Sequence, residues 1–467
     1  MMLAVTILAI VAMTNCQESD YEVVHLTEFC RHGARTSGKD MFQLKINAVY
    51  GNSALTGNGL RQHYIVGLQI RKSYPELFET YDPDKIDILC SYEPRTIQSA
   101  MAQATGLFPL GLGFNISLDH KSDLLNPPLD GIEASFTNES ALPKAYRPFK
   151  YQMISPELDF MFLHNLSMVC PEANNEYQRY QKAIMRKFDG HVADLSEQLT
   201  ESGFDPKKLK NKDQWDFIGI SELYDEFRSY ENYYGKIYHK IPADLHEKVI
   251  RLGVLRLAIK YSSTKLAMLS SDGVAKDMIE AMDEVVKGRS DKVFRMYSGH
   301  DNTLYVQMLG FNLTDFDCIK DWALMKIPKR SCLTPPYFAG TLMYELATKD
   351  GIFYARGLLN GKSFKICEIE HGDHYCKYEL FKKTVQDKLY YTDSDYESFC
   401  GSTYLKSATP VEKSETLVLV LVVIFFSSIL SIQIIMYLWM TCNEGKLKNR
   451  YRDHPQSFNH VASLLDQ

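Results

Sequence analysis

Apolar and polar positions along the chain follow two rhythms. Residues 22–29 (EVVHLTEF) form a short β-prone run ending at a glycine-containing turn, and they read as the first, central strand. From Thr56 to about Phe78, Leu60, Tyr64 and Leu68 recur at helical spacing, with Gly57 and Gly59 near the start and Pro75 near the end. Residues 86–90 (IDILC) read as a second buried strand and residues 95–107 as a second helix. Strand, helix, strand, helix predicts an α/β core, with a mainly parallel central sheet flanked by helices. From about 125 to 241 the pattern changes: Tyr, Glu, Lys and Phe are dense, alternation is weak, and a helical cap inserted into the core is expected. Pro242 opens a long predicted helix through about Leu269, followed by another over about 274–287. Residues 292–297 (KVFRMY) read as a further core strand, and 337–346 with 351–358 as a final antiparallel pair.

The two ends break this pattern. Residues 1–16 carry an apolar run followed by small and polar residues, the layout of a secretory signal peptide, although no Lys or Arg precedes the run. Residues 417–440 hold no charge and are long enough to cross a hydrocarbon core of about 30 Å. Lys446, Lys448, Arg450 and Arg452 follow, which predicts a cytoplasmic tail at 441–467 and a single-pass type I topology. A removed lipid-anchor signal fits less well, because it would end in its apolar tail. The expected division is a lumenal or extracellular domain at 17–410, a stem at 411–416 and a transmembrane helix at 417–440.

Composition is that of an ordinary globular protein, 45% hydrophobic and 24% charged. The formal net charge of -6 leaves no broad basic face for nucleic acid. An even set of cysteines in the predicted lumenal part (Cys30, Cys90, Cys170, Cys318, Cys332, Cys367, Cys376 and Cys400) points to disulfides. Asn115, Asn138, Asn165 and Asn312 begin N-x-S/T glycosylation sequons. Cys30 and Cys90 end neighbouring predicted strands and read as buried free thiols rather than a bridge. His371, His374 and Cys376, with Glu368 and Glu370, have the composition of a metal site. Cys367 and Cys376 bracket them as a local disulfide, which removes the thiolate, so no metal is expected there. The tyrosine-rich stretch 224–238 reads as cap packing rather than a carbohydrate or partner surface, with a place at the pocket mouth also open.

Arg31-His32-Gly33-Ala34-Arg35 follows the first strand directly. Guanidinium groups offer bidentate donors to phosphate oxygens, and glycine permits a tight turn beside a ligand. The end of a parallel strand is where open α/β sheets place ligands. A basic surface turn has the same composition.

The pattern then repeats in a specific order. Arg31–Arg35 resembles the RHGxR signature of the histidine acid phosphatases, a branch of the phosphoglycerate mutase-like superfamily. Leu55-Thr56-Gly57-Asn58-Gly59 with Gln62-His63-Tyr64, then Arg95-Thr96 with Ser99-Ala100, then Gly299-His300-Asp301-Asn302-Thr303, resemble its later motifs. The likeness covers roughly residues 21–400 and is closest in pattern to animal lysosomal and prostatic-type members, including single-span forms. It implies a phosphoglycerate mutase-like fold and hydrolysis of small phosphomonoesters through a phosphohistidine. His32 corresponds to the nucleophile, Asp301 to the proton donor, and Arg31, Arg35, Arg95 and His300 to the phosphate ligands. Three arginines supply charge stabilisation, so neither a metal nor an organic cofactor is called for. An aspartic acid donates only while protonated, which predicts an acidic optimum.

The resemblance also implies a Cys170–Cys400 disulfide and a possible homodimer, and it leaves Cys318 with Cys332. Thr36-Ser37 stands where the family usually has a proline, so an altered loop is expected. A narrow-specificity relative acting on an inositol polyphosphate or a lysophospholipid is the alternative function; the acidic overall charge gives the former no support. A non-catalytic receptor keeping the fold is the other, and intact His32 and Asp301 argue against it. The tail's Tyr451 and Leu464-Leu465 partly resemble endolysosomal sorting signals.

Overall fold

A mixed eight-stranded sheet organises the domain, in the order β3-β2-β4-β1-β5-β6-β7 with β8 beside β6. The strands are β1 (Glu22–Arg31), β2 (Ile86–Ser91), β3 (Gln152–Ile154), β4 (Phe294–Gly299), β5 (Thr341–Lys349), β6 (Ile352–Leu359), β7 (Lys362–Phe364) and β8 (Cys376–Lys377). The helices that matter here are α1 (Gly57–Ser73), α2 (Pro94–Leu107), α3 (Pro171–Met185), α4 (Asp189–Glu201), α5 (Phe217–Tyr234), α6 (Ala243–Lys260), α7 (Thr264–Val286), α8 (Asp301–Gly310), α9 (Phe316–Ala323) and α10 (Tyr378–Leu389). The computed structural model describes residues 21–400 apart from 40–45, 118–139, 157–158, 160, 163–169, 209–214, 329–332, 371 and 392–399; beyond 400 it describes only residue 433. These residues up to 400 belong to one unit, Met1–Gly401, and Ser402–Gln467 form another.

β1 sits in the middle, as its hydrophobic run predicts, parallel to β4 and antiparallel to β5. The expectation of a mainly parallel sheet is corrected. β3, β2, β4 and β1 run parallel, while β5, β6, β7 and β8 add antiparallel strands. The hairpins at Asp350-Gly351 and Asn360-Gly361, with both residues of each at positive φ, make that half of the sheet.

The sheet is covered on both faces. Leu26, Cys30, Ile88 and Cys90 pack with Ile70 of α1 and Ala100, Ala104 and Leu107 of α2. Phe29, Leu89, Tyr297 and Tyr344 pack with Met278 and Met282 of α7, Leu304 of α8 and Phe381 of α10. The expected apolar stripe of α1 is the wrong face: Leu60 and Leu68 are exposed, and Gly59, His63, Gly67 and Ile70 are buried. The reason is a backbone-to-backbone crossing. A Cβ on Gly67 would fall 2.1 Å from the Gln103 carbonyl oxygen, and one on Gly106 2.2 Å from that of Tyr64. Small residues, not large apolar ones, mark the contact.

The cap is helical, with two corrections. Residues 152–154 lie inside the expected insertion but extend the core sheet beside β2. The cap's own core also runs past 241, joining Leu199 of α4, Phe227 of α5, Val249 and Leu255 of α6 and Ile319 of α9. The long helix predicted through Leu269 ends at Lys260, and α7 starts at Thr264. The Ser262 hydroxyl donates to the Ile259 carbonyl at 2.8 Å, competing with the helical ladder at a break that no Gly or Pro announces.

Cys170 is bonded to Cys400 and Cys367 to Cys376, as expected. Cys318 is disulfide-bonded too, while Cys332 lies outside the described residues. Cys30 and Cys90 are free and buried. Asn115 and Asn312 are exposed, and Asn138 and Asn165 lie outside the described residues. So do the predicted signal peptide, stem, span and tail signals. Among the described residues no helix is long and apolar enough to cross a membrane.

Candidate active site

The site forms where the parallel strands end. β1 delivers Arg31 and then His32, β2 leads through Ser91 to Arg95 in the first turn of α2, and β4 leads through Gly299 to His300 and Asp301 at the start of α8. The motifs recognised in the sequence meet here as a scaffold. The His32 N–H donates to the Gly299 carbonyl at 3.0 Å. The Gly33 N–H donates to Ser99 Oγ at 3.0 Å, and the Ala34 N–H to Gln62 Oε1 at 2.8 Å. The Thr56 hydroxyl donates to the Ala34 carbonyl at 2.9 Å and also caps α1. Gly33 serves packing more than ligand approach. A Cβ there would sit 2.4 Å from the Gly59 carbonyl oxygen, so loop and helix start are pressed together.

His32 is buried, and its Nδ1 lies 2.9 Å from the Gly33 carbonyl. A carbonyl only accepts, so Nδ1 carries the proton and Nε2 keeps a free lone pair. Burial, then the charges of Arg31, Arg95 and Arg35, hold its pKa well below the usual histidine value. The imidazole is therefore neutral well into the acid range.

Each arginine is tethered by one carboxylate. Arg31 meets Asp301 at 3.2 Å, Arg35 meets Asp225 at 2.9 Å and Arg95 meets Glu93 at 2.7 Å. Arg31 also donates to the Pro336 carbonyl and stacks 4.5 Å from the Phe338 ring centre. Among the described residues, none of their three buried Nε–H groups has a partner. A buried donor left unmade costs about 1–3 kcal/mol, so three around one imidazole describe a place built for an anion. His300 lies with its ring centre 5.6 Å from that of His32, and its Nε2 is 2.9 Å from Ser91 Oγ.

Thr36 explains the missing proline. Its N–H donates to the Ala54 carbonyl at 2.9 Å, and its hydroxyl donates to the Gly51 carbonyl at 2.6 Å. A proline here would forfeit the first bond; hydrogen bonds hold the loop instead.

Sequence reasoning missed Asp225, whose carboxylate takes both Arg35 and the Gly38 N–H. Burial opposes its charge, but Arg35 and the hydrogen bonds hold its pKa below the usual range. It missed Glu93 and Phe338 as well. Glu93, two residues from Arg95, was the one with a local signal. A cavity of about 700 Å³ opens from Arg31, Arg35 and Asp301 to the cap, where Tyr224, Arg228, Arg256 and Lys260 line it. Of the tyrosine-rich stretch, Phe227 packs in the cap core, as expected, and Tyr224 lines the pocket. Around the suspected metal segment, Glu370 binds His374 at 2.9 Å and the Ile366 N–H at 3.1 Å, and Cys376 is spent in its disulfide.

This architecture is shared with known phosphate-ester hydrolases. The chain matches the phytase of D. castellii with 14% identity and a TM-score of 0.51 over 82% of both chains. It matches the multiple inositol polyphosphate phosphatase of Bifidobacterium longum, in complex with inositol hexasulfate, with 13% identity and a TM-score of 0.54, over 82% of this chain and 96% of that one. No curated protein matches it. The model of the histidine phosphatase superfamily (branch 2) matches residues 18–356, and the chain belongs to that family. Its chemistry is hydrolysis of phosphate esters.

Proposed function

We propose that the chain is an acid phosphatase that passes the phosphoryl group of small monoesters through His32. A tetrahedral phosphate enters the arginine cluster and takes up the three orphaned Nε–H donors, the observation that carries this reading. His300 contributes a further donor by giving up or sharing its contact with Ser91. The His32 Nε2 lone pair attacks phosphorus. The bond to the leaving oxygen breaks, its electron pair stays on that oxygen, and Asp301 protonates it. Water then attacks the phosphohistidine, gives its proton to the Asp301 carboxylate and releases phosphate and neutral His32. The test is hydrolysis of p-nitrophenyl phosphate across pH with chelator present. The rate should peak in acid and survive chelation; a peak on the alkaline side of neutrality overturns the reading.

A second reading concerns the substrate. Although the chain is acidic overall, its pocket is not: Arg31, Arg35, Lys39, Arg228, Arg256 and Lys260 face Glu222, Asp225 and Asp301. Among the described residues, Arg256 and Lys260 form no ion pair with a carboxylate; Arg256 donates to Ser221 Oγ at 2.7 Å. Burial works against the Lys260 charge, but Tyr261, Tyr177 and Asp301 outweigh it and raise its pKa. Two cations one helical turn apart, neither paired with a carboxylate among the described residues, favour a substrate with a second acidic group, such as a sugar bisphosphate or an inositol polyphosphate. Arg256→Ala with Lys260→Ala should raise KM for a bisphosphate about tenfold or more, because charge-assisted hydrogen bonds are lost, and leave p-nitrophenyl phosphate nearly unchanged. Equal losses on both substrates would remove the second reading.

The reading extends to location. A catalytic domain in an oxidising lumenal or extracellular compartment, anchored by residues 417–440, is supported by the Cys170–Cys400 and Cys367–Cys376 disulfides and by the apolar run itself.

A further inference from the structure

A chain of side chains with no exposure, Glu28, Gln103 and His63, runs under the catalytic loop. Gln103 contacts Glu28 Oε2 through one end of its amide and His63 Nδ1 at 2.8 Å through the other. His63 Nε2 lies 3.0 Å from the Arg31 carbonyl oxygen. That oxygen belongs to the peptide plane between Arg31 and His32, whose N–H is held by the Gly299 carbonyl. The plane carrying both the phosphate-binding guanidinium and the nucleophile is thus pinned at its two ends, one of them by His63.

The atoms fix a proton count. A carbonyl only accepts, so His63 Nε2 must carry hydrogen. If the Gln103 oxygen faces His63, Nδ1 must carry one also, which makes an imidazolium opposite a Glu28 carboxylate. If the amide is turned over, its NH2 donates to Nδ1 and its oxygen needs a donor, which only a protonated Glu28 provides. Both arrangements hold one proton more than carboxylate plus neutral imidazole, and without it one link of the chain faces acceptor to acceptor. We infer that Glu28, Gln103 and His63 are positioning residues, a relay that holds the Arg31–His32 peptide plane only while it keeps this proton.

Burial pushes Glu28 up to about 8, despite its bond to Gln103, and lowers His63. Burial thus favours the arrangement with the amide turned over and the proton on Glu28, so the relay is complete below about pH 8 and broken above it. Among the described residues on this side of the sheet, the two thiols and Tyr74 are moved away from that window. Burial raises Cys30 well above the usual thiol value and Cys90 to about 12. Tyr74 is raised by burial and by Glu345, and Glu345 is closed in its pair with Arg356 at 2.6 Å.

The inference rests on the oxyanion site proposed above, so its test reads that site without turnover. Molybdate, a tetrahedral dianion, is titrated onto the full-length protein by calorimetry from about pH 6.5 to about pH 9.5, on both sides of the Glu28 step. Wild-type affinity should fall about five- to tenfold across that step, the size of one hydrogen bond. Glu28→Gln, whose amide donates at every pH, should bind as wild type in acid and lose the step. Gln103→Met, which cuts the relay, should bind at the weak alkaline level throughout. A step that persists in a Glu28→Gln protein melting like wild type, or a wild-type profile in Gln103→Met, overturns the relay. No molybdate binding at any pH overturns the site reading and the relay together.

Discussion

Replacing His32 with alanine should lower phosphatase turnover by about 10⁴-fold or more, because the nucleophile and the covalent route vanish together. Arg31, Arg35 and Arg95 stay tethered to Asp301, Asp225 and Glu93, so the variant should still bind phosphate. Quenching the wild type during turnover in strong alkali with denaturant, where a phosphorus–nitrogen bond survives, should trap phosphate on protein, and the variant should trap none. On the proposed route, the lowered pKa of His32 is what lets an imidazole attack in acid. A free histidine would be protonated there, whereas burial and three guanidiniums keep this one neutral. A variant that retains a labelled phosphoenzyme would move the nucleophile elsewhere.

Asp301→Asn should separate two kinds of substrate. An alkoxide leaves poorly without a proton, so an alkyl phosphate such as β-glycerophosphate should slow by about 10²–10⁴-fold, the usual size of general acid catalysis. p-Nitrophenolate leaves unaided, so its ester should slow far less. The same change frees Arg31 of a carboxylate 3.2 Å away, and inorganic phosphate should inhibit the variant more strongly. Equal slowing of both esters would mean that Asp301 is not the proton donor.

What was legible in the sequence was local. β1, β2 and β4 follow from short β-prone runs, and the loops that end β1 and β4 carry their chemistry in consecutive residues. What was not legible sits where the physics lies between distant segments. The buried face of α1 is made of Gly59, His63, Gly67 and Ile70, so counting large apolar residues selects the opposite face. Asp225 and Arg256 belong to the pocket only because α5 and α6 pack side by side over it, and neither helix carries a local pattern that names its inner face. The helix break after Lys260 falls where the Ser262 hydroxyl bonds back to the Ile259 carbonyl, and no Gly or Pro in the sequence announces it. The turns of the antiparallel half were readable, since Asp350-Gly351 and Asn360-Gly361 are hairpin pairs; their effect on the balance of the sheet was not drawn from them.

The Cys170–Cys400 bond closes a covalent ring over a sequence separation of 230 residues. Inside the ring lie the cap helices, β4 with His300 and Asp301, and the antiparallel half of the sheet. Outside it lie β1 with Arg31, His32 and Arg35, and α2 with Arg95. The active site is therefore a seam between a looped part and an open leading segment. A protease that nicks the cap once leaves a single molecule, its pieces still linked, whereas a cut between Arg35 and Arg95 relies on packing alone to keep His32 beside Asp301.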